Sequence, residues 1–297
     1  RLGIAMDSYT EHLTSRGHSS KTVAGYVRDI RAFEQWMRSV TGEPFAADKV
    51  TAVDVRQYAS YLTVSKKMKP ASVSRRLCAL RSWFGWLVKQ GAVRSNPTLE
   101  VDLPPTTRRV PRGLSGPEVY RLRRAVRKDG SARDVAIVEL LLNAGVRVSE
   151  LCALTPGDIE ISERKGKVVV WSGKGGAYRE VPLNAEARKA LLEHLGKCDP
   201  DQCLLFVGRR GPLTPSGVFR IVQKYGKQAG VRISPHVLRH TFATWLLRKA
   251  GADLVMVKDL LGHRHLNTTA VYTKASQEDV EEAVERLDWW SEPLGKN

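Results

Sequence analysis

One stretch in the first half of the chain reads against helix and sheet alike: Leu103-Pro104-Pro105-Thr106-Thr107-Arg108-Arg109-Val110-Pro111-Arg112-Gly113. Its three prolines lack the backbone donor that either structure needs, and no apolar periodicity runs through it. Residues 104–113 are therefore expected to be an exposed linker. It separates a small domain, 1–103, from a larger one, 114–297. A chain of 297 residues has room for two ordinary domains, each with its own core.

The first domain reads as all helical. Ser20-Lys21-Thr22 opens a segment in which Val23, Tyr26, Val27, Ile30, Phe33 and Trp36 or Met37 recur at helical spacing. Thr51-Ala52-Val53-Asp54 has the form of an N-terminal cap. From Ser72 on, Val73, Leu77, Leu80, Phe84 and Leu87 make one apolar stripe. Arg75, Arg76 and Arg81 lie on other faces of that helix and are candidate DNA contacts, as are Arg108 and Arg109 in the linker. The aromatics here are expected to pack the core rather than to stack on bases.

The second domain mixes elements. Asp134 to Ala144 is a nearly all-apolar buried helix stopped at Gly145. Lys167 to Trp171 is a strand by β-branched content, residues 172–176 are a turn, and Tyr178 to Leu183 return as a second strand. Helices are expected near 184–195, 215–229, 235–250, 253–261 and 278–287. The fold class is mainly α with a small β-sheet (α+β).

Charge narrows the partners. The sequence holds 48 Lys and Arg against 31 Asp and Glu, a net charge of +17 shared as +8 over residues 1–108 and +9 over residues 109–297. Both parts therefore suit the same polyanion, and nucleic acid is the first candidate. Cys78, Cys152, Cys198 and Cys203 form no disulfide framework, and Cys198 and Cys203 lack a second ligand pair for zinc. With no signal peptide and no apolar run of spanning length, a cytoplasmic protein with reduced thiols and no membrane partner is expected. The first residue is Arg, so the native start is expected to lie upstream.

Several polar residues stand where packing does not put them. Arg147, in Gly145-Val146-Arg147-Val148-Ser149-Glu150-Leu151, follows a buried helix. It needs an anion, or a structural partner such as Glu150, and Ser149 can cap the next helix. Ser234 and Pro235 fit the cap and first position of another helix, which sets His236, Arg239 and His240 on one face of its first turns. Three cationic-capable groups beside a positive helix end repel one another unless an anion such as phosphate sits there. A metal is the rival, but no carboxylate or cysteine joins the cluster. Gly262 fits a helix C-cap, with His263 just beyond it and Tyr272 nine residues further on.

Together these motifs resemble the tyrosine recombinase (phage integrase, Xer-like) family over almost the whole chain. The likeness is carried by Ala144 to Leu151, His236 to Ala243 and Leu261-Gly262-His263 through Tyr272. The pattern of Thr22, Tyr26, Asp29, Phe33 and Trp36 is similar to the family's core-binding domain. The resemblance implies a two-domain fold with a catalytic second domain. It also implies that Tyr272 is the nucleophile, with Arg147 and Arg239 on the non-bridging oxygens of the scissile phosphate. His236 assists proton transfer, His263 hydrogen-bonds the phosphate, Glu150 supports the site and His240 is structural. Lys174 matches the lysine that protonates the leaving 5′-hydroxyl, although Lys165 and Lys167 are close by.

The chemistry is self-consistent. Charge builds on the equatorial oxygens of a phosphodiester attacked in line, and two arginines with imidazole donors stabilise it without a metal. A covalent phosphotyrosyl step conserves the diester's energy, so no cofactor and no ATP are expected. Residues 278–292 carry seven acidic side chains and only Arg286, followed through Asp288 by Trp289-Trp290. The resemblance implies that this tail (278–297) docks in trans within a homotetramer on double-stranded DNA bearing specific sites. The readings to be distinguished are a type IB topoisomerase-like nicking-closing enzyme and a catalytically silent DNA-binding regulator. With one small domain before the linker, a simple Xer-like or resolvase-like system is expected. Target sequence, accessory proteins and biological task are not legible.

Overall fold

The computed structural model describes residues 2–105, 112–171, 178–199 and 202–262, with side chains from Met6 onward. The chain divides into two compact units, Arg1–Arg109 and Val110–Asn297.

Among its described residues the first unit has four α-helices, α1 (Leu2–Ser15), α2 (Ser20–Thr41), α3 (Ala52–Val64) and α4 (Pro70–Lys89), with a 3-10 turn at Ala47–Lys49. Each of the last three starts where local chemistry dictates. Ser19 accepts from the Thr22 N–H, and Thr51 and Asp54 form a reciprocal capping box. Pro70, with its fixed φ, occupies the first turn of α4. That helix thus begins ahead of Ser72, the start expected from the stripe. The stripe itself, Val73, Leu77, Leu80, Phe84 and Leu87, is buried, together with Trp83, Phe33 and Tyr58. Fully burying side chains of this kind stabilises by roughly 1.5–3 kcal/mol each. Phe33 meets Tyr58 edge-on at 5.0 Å, so the aromatics are core, as expected.

The second unit begins with α5 (Gly116–Asp129) and α6 (Ala132–Asn143), followed by the short α7 (Val148–Ala153). A three-stranded antiparallel sheet comes next: β1 (Ile159–Ile161), β2 (Gly166–Trp171) and β3 (Tyr178–Pro182). Then follow α8 (Ala185–Leu195), the two-residue strands β4 (Val207–Gly208) and β5 (Gly211–Pro212), α9 (Pro215–Gln228), α10 (Pro235–Arg248) and α11 (Leu254–Leu261). The mainly helical α+β class and the β2–β3 hairpin are as expected from sequence. The helix expected near 278–287 lies outside the described residues.

Three differences have physical causes. Ser131, not a later residue, caps α6, so that helix starts at Ala132. The helix is not purely apolar: Glu139 is fully buried and held by Arg123 at 2.8 Å and Arg127 at 3.3 Å. Ser149 does not cap α7. Arg147 is the cap residue, and the Glu150 carboxylate closes the turn by accepting the Arg147 N–H at 2.8 Å.

In the sheet, Val168 pairs with Val181 and Val170 with Arg179. Val181 is buried, so Arg179, two residues earlier on the same strand, faces the same side. This alternation turns a guanidinium toward the interior beside α7 and α11.

Candidate active site

The site assembles around a turn that needs glycine. Gly145 lies between α6 and α7 with φ 55°, and a Cβ there would lie 2.3 Å from the Phe242 ring of α10. That close approach brings α10 to the turn, where the Arg239 Nη1 donates to the Gly145 carbonyl. Arg239 is only 5% exposed, and its Nη2 donates to the Leu261 carbonyl at 2.7 Å.

Arg147 reaches the same place from α7. Its Nη1 donates to Glu150 Oε1 at 2.6 Å and its Nη2 to the Gly262 carbonyl at 2.8 Å. The side chain stays 41% exposed. The sequence left open whether Arg147 pairs with Glu150 or with an anion. The structure gives it the carboxylate on one nitrogen and an accessible surface besides.

Glu150 is the counterion at the centre. Burial alone would raise its pKa. Hydrogen bonds from Arg179, then from the Arg147 N–H and side chain, outweigh burial and hold it at about 2. Arg179 grips both carboxylate oxygens, at 3.1 and 2.7 Å, and its Nε donates to the Leu260 carbonyl at 2.8 Å. The sequence reading missed Arg179. Strand alternation puts Arg179 on the same face as Val181, but the pairing with β2 is what shows that this face is the inward one.

The end of α11 is therefore shared. Leu260, Leu261 and Gly262 offer three consecutive carbonyls to Arg179, Arg239 and Arg147, from a strand and two different helices. The last carbonyls of a helix carry partial negative charge and lack helical partners, so they attract cations. Gly262, in the left-handed conformation at φ 62°, ends the helix as expected.

On α10, Ser234 and Pro235 start the helix as predicted, with Ser234 accepting from the Val237 N–H at 3.3 Å. His236 is exposed on the first turn. His240, one turn on, is buried. Desolvation, with the charges of His236 and Arg248, pushes its pKa down to about 4. It is thus neutral near pH 7, which suits a structural role.

Lys174, His263 and Tyr272 lie outside the described residues, as do Arg108, Arg109 and the tail. The base of the hairpin that carries Lys174 is described. Trp171 pairs with Tyr178, and its indole N–H donates to Asp158 at 2.8 Å. Lys167, a neighbouring candidate, is tied to Glu180 at 2.9 Å and Glu160 at 3.2 Å. In the first unit, Arg75 and Arg76 flank the buried Asp29, Arg75 with both Nη atoms and Arg76 at 3.7 Å. Arg81 donates to the carbonyls of Thr98 at 2.8 Å and Val101 at 2.9 Å. Arg81 thus fastens the segment that follows α4, while Arg75 keeps an exposed surface.

Residues 113–279 match the phage integrase family, and residues 6–91 match the phage integrase N-terminal SAM-like domain. The tyrosine recombinase XerC of Thermodesulfovibrio yellowstonii is 36% identical over 295 residues, covering 95% of this chain and 93% of that protein. XerC of Bacillus subtilis is 33% identical and covers 91% of each. Among solved structures, the XerA recombinase is 30% identical, with TM-score 0.53 and coverage of 95% and 97%. The XerH site-specific recombinase bound to its difH substrate is 25% identical, with TM-score 0.69 and coverage of 90% and 79%. Two matched family domains, relatives alike over nearly their full length, and arginines 147 and 239 gathered at one helix end lead to the same place: the chain belongs to the phage integrase family of tyrosine recombinases.

Proposed function

We propose the following division of labour in this site-specific DNA recombinase. Tyr272 attacks the scissile phosphate and forms a 3′-phosphotyrosyl bond, while Lys174 protonates the departing 5′-oxygen. Arg147 and Arg239 hold the non-bridging oxygens, with His236 and His263 supplying further donors. Religation reverses these steps after strand exchange through a Holliday junction, so the diester's energy is conserved in the covalent bond. The observation that supports this reading is the convergence of Arg147 and Arg239 on adjacent carbonyls at the end of α11. Preorganised donors of this kind stabilise the charge that develops on the phosphate. No helix among the described residues is long and apolar enough to cross a membrane.

Arg75 and the linker residues Arg108 and Arg109 are assigned to the DNA backbone, with Arg76 beside them. Arg81 serves that surface from within, by fixing the chain after α4. The acidic tail, 278–297, docks on a neighbouring protomer in a DNA-bound homotetramer, since seven carboxylates have no place against phosphates.

A suicide substrate nicked near the cleavage site tests the nucleophile. The native chain is expected to yield a covalent protein–DNA adduct and Tyr272→Phe none, whereas adduct from both refutes the assignment. The type IB topoisomerase-like alternative is distinguished by strand exchange between two specific sites, as opposed to relaxation of any supercoiled DNA.

A further inference from the structure

Arg179 has no part in the roles assigned above, yet it is buried among the residues that do. Its side chain is 12% exposed, and its partner Glu150 is 9% exposed. Three of its nitrogens are engaged: Nη1 and Nη2 on the two oxygens of Glu150, and Nε on the Leu260 carbonyl. The guanidinium also lies directly against Gly262, where an added Cβ would be 3.0 Å from Arg179 Nη1.

We propose that Arg179 is a positioning residue for cleavage, taking up the charge of Glu150 so that the charge of Arg147 remains available to the scissile phosphate. The inference rests on Arg147 and Arg239 being the phosphate-binding pair. Glu150 carries one negative charge and touches two guanidiniums. With Arg179 present, Arg147 shares the carboxylate and the cluster keeps a net positive charge. Without it, Glu150 has Arg147 as its remaining guanidinium partner and neutralises it, and that pair meets the incoming phosphate with no surplus charge. A second consequence concerns geometry. Arg179 grips the carbonyl two residues before the one that Arg147 uses, and so fixes the point from which the chain continues to His263. Lysine cannot reproduce this, because a single ammonium does not span two carboxylate oxygens and a carbonyl.

The test uses full-length protein and the nicked suicide substrate, with single-turnover adduct formation as the readout and DNA affinity and melting temperature measured alongside. Arg179→Gln is expected to slow adduct formation about ten- to hundredfold, as partners that orient an active-site group commonly do, while DNA affinity changes by less than about threefold. Arg179→Lys, which keeps the charge but loses the multi-point grip, is expected to recover only part of the lost rate. Adding Glu150→Gln to Arg179→Gln is expected to restore at least part of the lost rate, since a neutral amide can still cap α7 but no longer quenches Arg147. A merely structural role would make the double variant slower still. Cleavage by Arg179→Gln within about twofold of native, or a double variant slower than Arg179→Gln, overturns the proposal. If Arg179→Gln does not fold, Arg179→Lys with and without Glu150→Gln carries the same comparison. Tyr272→Phe runs in parallel: adduct from that variant sinks the underlying site assignment, whereas its absence beside native-like Arg179→Gln sinks this inference alone.

Discussion

A methyl group added at Gly145 would meet both a disfavoured, left-handed backbone conformation and the Phe242 ring. Gly145→Ala is therefore expected to cost about 2 kcal/mol or more, read as a lower denaturant midpoint for the second unit. A native-like midpoint would show that α10 can withdraw without penalty. His240 gives a pH dependence whose sign follows from its depressed pKa. Above its ordinary value of 6.5 the folded and unfolded chains are both neutral there, so the full stability is present. As pH falls from 6.5 toward 4, the unfolded chain takes up the proton first, and up to roughly 3 kcal/mol is lost. His240→Gln is expected to flatten that window in a series of thermal melts; an unchanged slope assigns it to another group. Glu150 acts lower, contributing stability above its ordinary 4.5 and losing it as pH falls toward 2. At this scale Arg147, Arg239 and Glu150 were legible because a charged residue next to a core segment demands an explanation. Arg179 was not, since its meaning depends on which face of the strand is inward, and only the register with β2 shows that.

The helices were easiest to read wherever the cap and the stripe agree. Thr51, Ser234 and Gly262 act as helix ends as expected, Ser19 caps α2 one residue ahead of the expected opening at Ser20, and the α4 stripe is buried throughout. α1 and α5 went unread, although Ser115 and Glu118 form a capping box ahead of α5 that could have marked it. β1, β4 and β5 are two or three residues long, too short for alternation to register. The buried pairing between α5 and α6 was also invisible, because a lone glutamate in an apolar run names no partner. Removing its charge tests how much the pairing matters. Glu139→Gln leaves Arg123 and Arg127 without their buried carboxylate and is expected to destabilise by about 1.5–3 kcal/mol, measured by urea unfolding. A loss below about 1 kcal/mol would mean that both arginines reach solvent or Glu186 instead.

For the molecule as a whole, a net charge of +17 divided over both units predicts binding that is strongly salt-dependent. If six or more phosphates are contacted, affinity for a duplex should fall about a thousandfold or more between roughly 50 and 200 mM salt. A shallow dependence would confine the contacts to the catalytic centre. Deleting residues 278–297 should abolish tetramer assembly on DNA while leaving single-site binding; unchanged assembly would refute docking in trans. The two-part organisation was visible in a run of prolines, but what each part does to DNA in sequence terms was not, since base contacts are made by surfaces that composition does not resolve. The arginines at the end of α11 carry one more consequence. Arg239 and Arg179 have shed most of their water before any DNA arrives, and only Arg147 remains substantially wet. Their dehydration is thus charged to folding, not to the encounter with substrate. Variants that let that helix end loosen and rehydrate should lose the stability these bonds contribute and also react more slowly, because the guanidiniums must then be stripped of water when the substrate arrives, so thermostability and turnover are expected to fall together at this one place.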